Sequence, residues 1–267
     1  MMPKFGNTTN PSEDILKEIK TIGRMGFDFA EIGIEGPKAF PETLVRKKRK
    51  ILKLLDKYGM FAIAHTAWFI DLGCPYENVR RAWVEEGKKA IDTARELGIK
   101  LVNFHFDCST PLMLRDARIR RRILENHVRS LKELNEYGSG MKIMLENGAI
   151  QEWSSNAENL RYIMKKVKDI GFHLDVGHAF VHGGMKNVMK FLRIFRKRLV
   201  HIHMHDNYGV KDDHLPVGVA NIDYEKIVKT LKRAGYDKTV SFEVFTKDRD
   251  FAKISMEKFR KMWTKTG

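Results

Sequence analysis

The chain is poor in the residues that staple or punctuate a fold. Of its 267 residues, two are cysteine and seven are proline. Cys74 and Cys108 form no Cys-x-x-Cys pair and are too few for a disulfide framework, which suits a reducing compartment. No run of about 18 uncharged apolar residues occurs, so a membrane-spanning helix is excluded. Residues 1–6 lack the apolar stretch of a secretory signal. The resulting expectation is a cytoplasmic protein with no membrane partner. Nucleotide and hydrolase signatures are also missing: there is no Gly-x-Gly-x-x-Gly, no phosphate-binding Gly-x-x-x-x-Gly-Lys loop, no Gly-x-Ser-x-Gly elbow and no His-Glu-x-x-His helix. Acidic residues are the minority, 34 against 49 Lys and Arg, leaving a formal charge of +15. The hydrophobic share of 43% is enough to fill a sizeable core and excludes a disordered or collagen-like chain.

What the sequence does have is a repeat. Gly26, Gly59, Gly98, Gly138, Gly171 and Gly235 each close an amphipathic stretch and precede an apolar run, at spacings of 33, 39, 40, 33 and 64 residues. Glycine just past a helix supplies a left-handed cap. A period of this size marks a repeated supersecondary unit. The long gap has room for one further boundary near Lys197 and Arg198. Strands are predicted over 4–7, 27–34, 60–66, 101–106, 142–147, 172–177, 199–206 and 239–245. Helical stretches include 13–25, 77–97, 119–137 and 224–234. Short apolar runs alternating with helices imply parallel strands joined by crossovers. Eight such strands in about 250 residues predict an α/β chain folded as a (β/α)8 TIM barrel, one domain over 1–267. A doubly wound open sheet is the alternative.

Polar residues interrupt these strands at equivalent places. His65, His105, Glu146, Asp175, His203 and Glu243 each follow an apolar run at or near a strand's C-terminal end, with His178 just beyond Asp175. In a parallel barrel those ends share one mouth, where active sites form. Asp212 and His214 follow the seventh strand and reach the same mouth. One strand histidine alone is ordinarily a hydrogen-bonded core residue, and one strand-end acid, Asp175 included, a helix cap. Six at equivalent positions are costly to bury together without a cation. Imidazole and carboxylate together suit zinc, manganese or a similar divalent ion.

Other polar and aromatic positions read differently. His127 lies in a helix and is a packing or surface residue. His173 begins a strand and bonds to backbone. His201 and His205 share a face with His203 and can support a ligand from behind. Trp83 packs; Trp68 and Trp153 follow the third and fifth strands and either pack or line the mouth. Basic runs at 46–50, 118–122 and 193–198 fall on different helices of the outer ring. They read as solvated surface, because a nucleic-acid footprint clusters on one face.

The segments 65–75, 103–105, 145–147, 174–179 (Leu-Asp-Val-Gly-His-Ala), 203–207 (His-Met-His-Asp-Asn), 212–216 and 242–243 together resemble the xylose-isomerase-like barrel superfamily, from the second strand onward. That superfamily holds sugar and sugar-phosphate isomerases and epimerases together with endonuclease IV-type apurinic/apyrimidinic nucleases, the second family of AP endonucleases. The isomerase branch implies one metal on Glu146, Asp175, His203 and Glu243. The same two glutamates, Glu146 and Glu243, would pass a proton as catalytic base and acid, and His178 and His214 would hold substrate oxygens. Trp68 and Glu31 would line the substrate pocket, Glu31 as the strand-two glutamate of Phe29-Ala30-Glu31-Ile32-Gly33. The implied substrate is a small sugar or sugar phosphate. The nuclease branch implies three zinc ions on His65, His105, Glu146, Asp175, His178, His203, Asp212, His214 and Glu243, with abasic DNA as partner. The chain departs from the superfamily's patterns at Gly218-Val219-Ala220, where an acid is usual. It also lacks an Arg after the strand-seven His and the nuclease's Gly-His-Ser start.

Overall fold

The computed structural model describes residues 1–108, 111–149 and 152–266. Its eight strands are β1 (Lys4–Thr8), β2 (Phe29–Ile34), β3 (Phe61–Thr66), β4 (Leu101–Phe106), β5 (Lys142–Asn147), β6 (Gly171–Asp175), β7 (Leu199–Met204) and β8 (Thr239–Phe242). They pair in parallel in chain order, and β8 closes on β1. The barrel therefore has no open edge, and the alternative of an open sheet is excluded. Around it lie α1 (Ile15–Arg24), α2 (Pro41–Lys57), α3 (Glu77–Glu96), α4 (Ala117–Tyr137), α5 (Ala157–Lys166), α6 (Val176–Val181), α7 (Gly184–Phe195), α8 (Tyr224–Arg233) and α9 (Asp250–Lys265).

Local chemistry explains the boundaries. Asp14, Asp116, Asn156, Asp175 and Asp223 cap their helices by accepting backbone N–H groups. Gly26, Gly59, Gly98 and Gly235 take positive φ, as expected past a helix end. Two of the six glycines depart from that expectation. Gly138 ends α4 at φ −80°, and the left-handed turn falls on Gly140 instead. Gly171 opens β6. Three strands also end earlier than the apolar runs suggest. β6 stops at Asp175 because that side chain caps α6, β7 stops at Met204, and β8 at Phe242.

Two packed regions hold the ring. Between strands and helices lies the main core, with Phe5, Ile32, Phe104, Phe172, Ile202 and Phe242 fully buried. Inside the barrel, Phe29, Ile63 and Met144 form a small apolar plug at the N-terminal end. Above this plug the interior turns polar. Register aligns the change: His105 pairs with Glu146, Glu146 with His173, and Asp175 with His203.

Candidate metal centre at the barrel mouth

Period-two alternation points Glu31, His65, Asn103, His105, Glu146, His173, Asp175, His201 and His203 into the barrel. At the centre stands His203. Its Nε2 and that of His201 each lie 3.0 Å from Oε2 of Glu31, which also accepts the Ser241 hydroxyl. With Nε2 turned to Glu31, Nδ1 of His203 is the nitrogen that faces the mouth side. It lies 3.1 Å from Glu243 Oε2, 3.5 Å from Asp175 Oδ2 and 3.7 Å from Glu146 Oε1. Three carboxylates thus converge on one buried imidazole nitrogen. Burial pulls the His203 imidazole down, but the carboxylates of Glu31, Glu243 and Glu146 lift it well above its ordinary range. Burial likewise raises Glu146, and the imidazoles of His173, His105 and His203 outweigh it, holding the carboxyl well below the usual range. The site calls for positive charge, and a divalent cation fits one imidazole and three carboxylates.

Two further donor groups flank this one. His65 Nε2 and His105 Nε2 are 3.2 Å apart and lie 3.7 and 3.2 Å from Glu146 Oε2. Burial works against the charged His65, yet the Glu146 hydrogen bond and nearby carboxylates push it up to about 9. On the other side, His178 Nδ1 donates to the Asn147 carbonyl at 2.8 Å and His214 Nδ1 to the Glu243 carbonyl at 3.0 Å. Their Nε2 atoms therefore face Asp212 Oδ2, at 3.2 and 2.8 Å. Two imidazole nitrogens and a carboxylate meet there, so this group too fits a cation. His214 reaches it from a left-handed backbone, φ 48°, a conformation that side chains other than glycine rarely adopt.

The loop carrying Asp212 and His214 is tied down by Asp206. Its carboxylate accepts the N–H groups of Asn207, Gly218, Ala220 and Ile222. His205 packs behind, with Nε2 3.1 Å from both Asp175 oxygens and its ring stacked 4.0 Å from that of His214. Gly177 makes this possible, since a Cβ there would lie 2.0 Å from the His205 ring.

The remaining assignments fall as follows. Trp68, 54% exposed, lines the mouth, whereas Trp153 packs on Phe106 at 4.8 Å. His127 is a packing residue, fully buried against Phe106. Glu31 sits beneath His203 with no exposed surface. The reading of His173 as a backbone-bonded residue is corrected. It lies one inward position below Asp175, so its Nδ1 meets Asn103 Oδ1 at 2.9 Å and Glu146 Oε2 at 3.2 Å. Burial drives this imidazole down to about 3. Residues that sequence reasoning passed over include Asn103, Asp107 and Glu35. Asn103 donates to Glu146, and the Asn103-x-His105 spacing was the available signal. Asp107 and Glu35 line the mouth, and burial raises both carboxyls, Asp107 to about 7. The mouth opens into a cavity of about 880 Å³. Two of its cations are already engaged: Arg249 with Glu18 at 3.2 Å, and Lys17 with Glu13 at 3.2 Å.

A closed parallel barrel with acids and imidazoles gathered at its C-terminal mouth defines the class as a (β/α)8 barrel with its candidate site where such barrels carry theirs. The family model for the xylose isomerase-like TIM barrel matches residues 19–262, and the chain belongs to that family. An uncharacterized protein of Methanocaldococcus jannaschii is 30% identical over 86% of this chain and 79% of its own length. A probable endonuclease 4 of Aquifex aeolicus is 24% identical over 98% of both chains. Fructoselysine 3-epimerase of Shigella flexneri is 27% identical over 90% of both. Among solved structures, a D-tagatose 3-epimerase-like protein superposes with TM-score 0.85 at 28% identity over 98% of both chains.

Proposed function

We propose that the protein is a divalent-metal-dependent sugar or sugar-phosphate isomerase or epimerase. The observation that carries this reading is the convergence of Glu146, Asp175 and Glu243 on His203 Nδ1, within 3.7 Å. These four residues would hold the ion, which when bound polarises a substrate carbonyl and acidifies the neighbouring C–H bond. Glu146 and Glu243 both line the mouth cavity and are held ionised, Glu243 down at about 2. One of them removes the proton from that carbon. A proton from water, passed on at the open mouth by the other, returns to the opposite face. His178 and His214 line the same cavity and take substrate oxygens, and Trp68 covers an apolar face of the sugar. The epimerase relatives support this substrate class.

A specific observation also favours a second reading, an abasic-site nuclease. The groups His65–His105–Glu146 and His178–Asp212–His214 flank the His203 centre, giving room for three ions, and an endonuclease 4 relative matches the chain at full length. Against it, DNA is positioned chiefly by cations on phosphates, and of the mouth's three cations among the described residues Arg249 and Lys17 are bound to Glu18 and Glu13, leaving Lys247.

The test is incubation of the metal-loaded protein with a panel of ketoses and their phosphates in D2O. Deuterium should enter product at the carbon beside the carbonyl. Glu146→Gln and Glu243→Gln should each lower turnover by about 10²-fold or more. Nicking of abasic duplex DNA, with a metal content near three and no exchange on any sugar, selects the second reading instead.

A further inference from the structure

The structure gathers one of the basic runs into a feature of its own. From Gly184 to Arg198 the chain carries six cations and no acid. Arg198 turns inward, onto the carbonyls of Ile170, Met164 and Val167. Lys186, Lys190 and Arg193 follow one face of α7 at i, i+4 and i+7, and Lys197 extends the row. Neighbours at this spacing stand about 5–6 Å apart. Opposite them, Arg233 at the end of α8 and Lys238 before β8 complete the rim of a groove of about 1010 Å³. Its floor is apolar, with Met189, Leu192, Leu231 and Tyr236. Asp237 is its single acid among the described residues. A smaller basic hollow with Lys229, Lys232 and Lys265 adjoins through Arg233, so the positive track runs on across α8 to α9.

Pairing separates this face from that of α3. On α3 the cations are neutralised in place: Arg80 and Arg81 on Glu77, Lys88 on Glu85 and Glu133, Lys89 on Glu86, Arg95 on Asp92. In the groove, among the described residues, only Lys190 has a carboxylate, Glu158 at 3.3 Å. The residues before β7 and β8 that line it sit at the N-terminal ends of their strands. It therefore opens at the end of the barrel away from the mouth, and no residue lines both cavities.

We propose that the α7–α8 groove binds the phosphate backbone of a nucleic acid without reading its sequence. A row of cations as long as three helical turns, with one member ion-paired, suits a repeating polyanion. Lysine, which forms much of it, is depleted from protein–protein interfaces. The proposal is independent of the chemistry at the mouth.

The test is fluorescence polarisation with a labelled mixed-sequence single strand of about 20 nucleotides, starting at about 50 mM salt. The wild type should bind, with affinity falling linearly in log salt. Lys186→Glu/Arg193→Glu/Lys197→Glu should weaken binding at least about tenfold and flatten the slope by about 2, since each phosphate contact on a single strand contributes about 0.7. Arg46→Glu/Arg49→Glu/Lys50→Glu on α2, the same charge change elsewhere, should stay within about twofold of wild type. No binding by the wild type, or equal losses in both triple variants, overturns the proposal. So does displacement by poly-glutamate as effective as by unlabelled nucleic acid, a measurement on the wild type that needs no variant to fold.

Discussion

Glu31 shows how a single side chain can set the chemistry of its neighbour. A carboxylate on Nε2 fixes the His203 tautomer and orients the ring, and so decides that Nδ1 is the atom offered to an ion. Glu31→Gln replaces an acceptor with a group that can turn its NH2 toward the imidazole. The expected outcome is a loss of about 10–100-fold in Zn2+ or Mn2+ affinity, read by metal titration of the purified variant. Unchanged affinity would show that packing alone orients His203. Residue identity at strand ends was legible in the sequence: His65, His105, Glu146 and Asp175 announce themselves by breaking apolar runs. Which atom of each faces which partner was not legible. That depends on pairs such as Glu31–His203, 172 residues apart in the chain. His173 was misread for a related reason. At the start of a strand its surroundings are apolar in sequence, and only the barrel's register sets it under Glu146.

At the scale of elements, β6 and α6 form one device. Asp175 ends the strand, caps the helix through the His178 N–H at 2.7 Å and turns its second oxygen to His203. The next turn of α6 must then run tightly over His205. Gly177→Ala should destabilise the protein by about 1–3 kcal/mol, because a Cβ has no space beside that buried ring. Thermal melts of the variant check this, and a melting temperature equal to wild type would mean that His205 yields at no cost. The eight strands could be read from alternating apolar runs and glycine spacing. The ends of β6, β7 and β8 could not, because side-chain caps and the Asp206-anchored loop, rather than apolarity, stop them.

For the molecule as a whole, the crowded mouth makes stability depend on pH. His65 and His214 are raised to about 9 from 6.5, so the stabilisation they give is complete below pH 6.5 and lost as pH rises through about 9. Glu243 is lowered to about 2 from 4.5, so its contribution is complete above pH 4.5 and lost as pH falls through about 2. His173, lowered to about 3 from 6.5, acts the other way and takes stability away as pH falls below 6.5, so protein stripped with EDTA should melt highest near pH 6.5. Saturating Zn2+ or Mn2+ should raise the alkaline limb most, because ligation requires deprotonated imidazoles. An alkaline limb that stays flat without metal would contradict this account of the mouth.

The donors come from six strands, and the order in which they appear has a bearing on synthesis. His65 is made first of these, and Glu243 follows it 178 residues later. A chain emerging from the ribosome holds scattered imidazoles with little grip on an ion until β8 has been translated and locked beside β1. On the proposed metal-dependent reading, loading would follow completed assembly, and a product lacking the last strand should bind Zn2+ or Mn2+ more weakly than the whole chain.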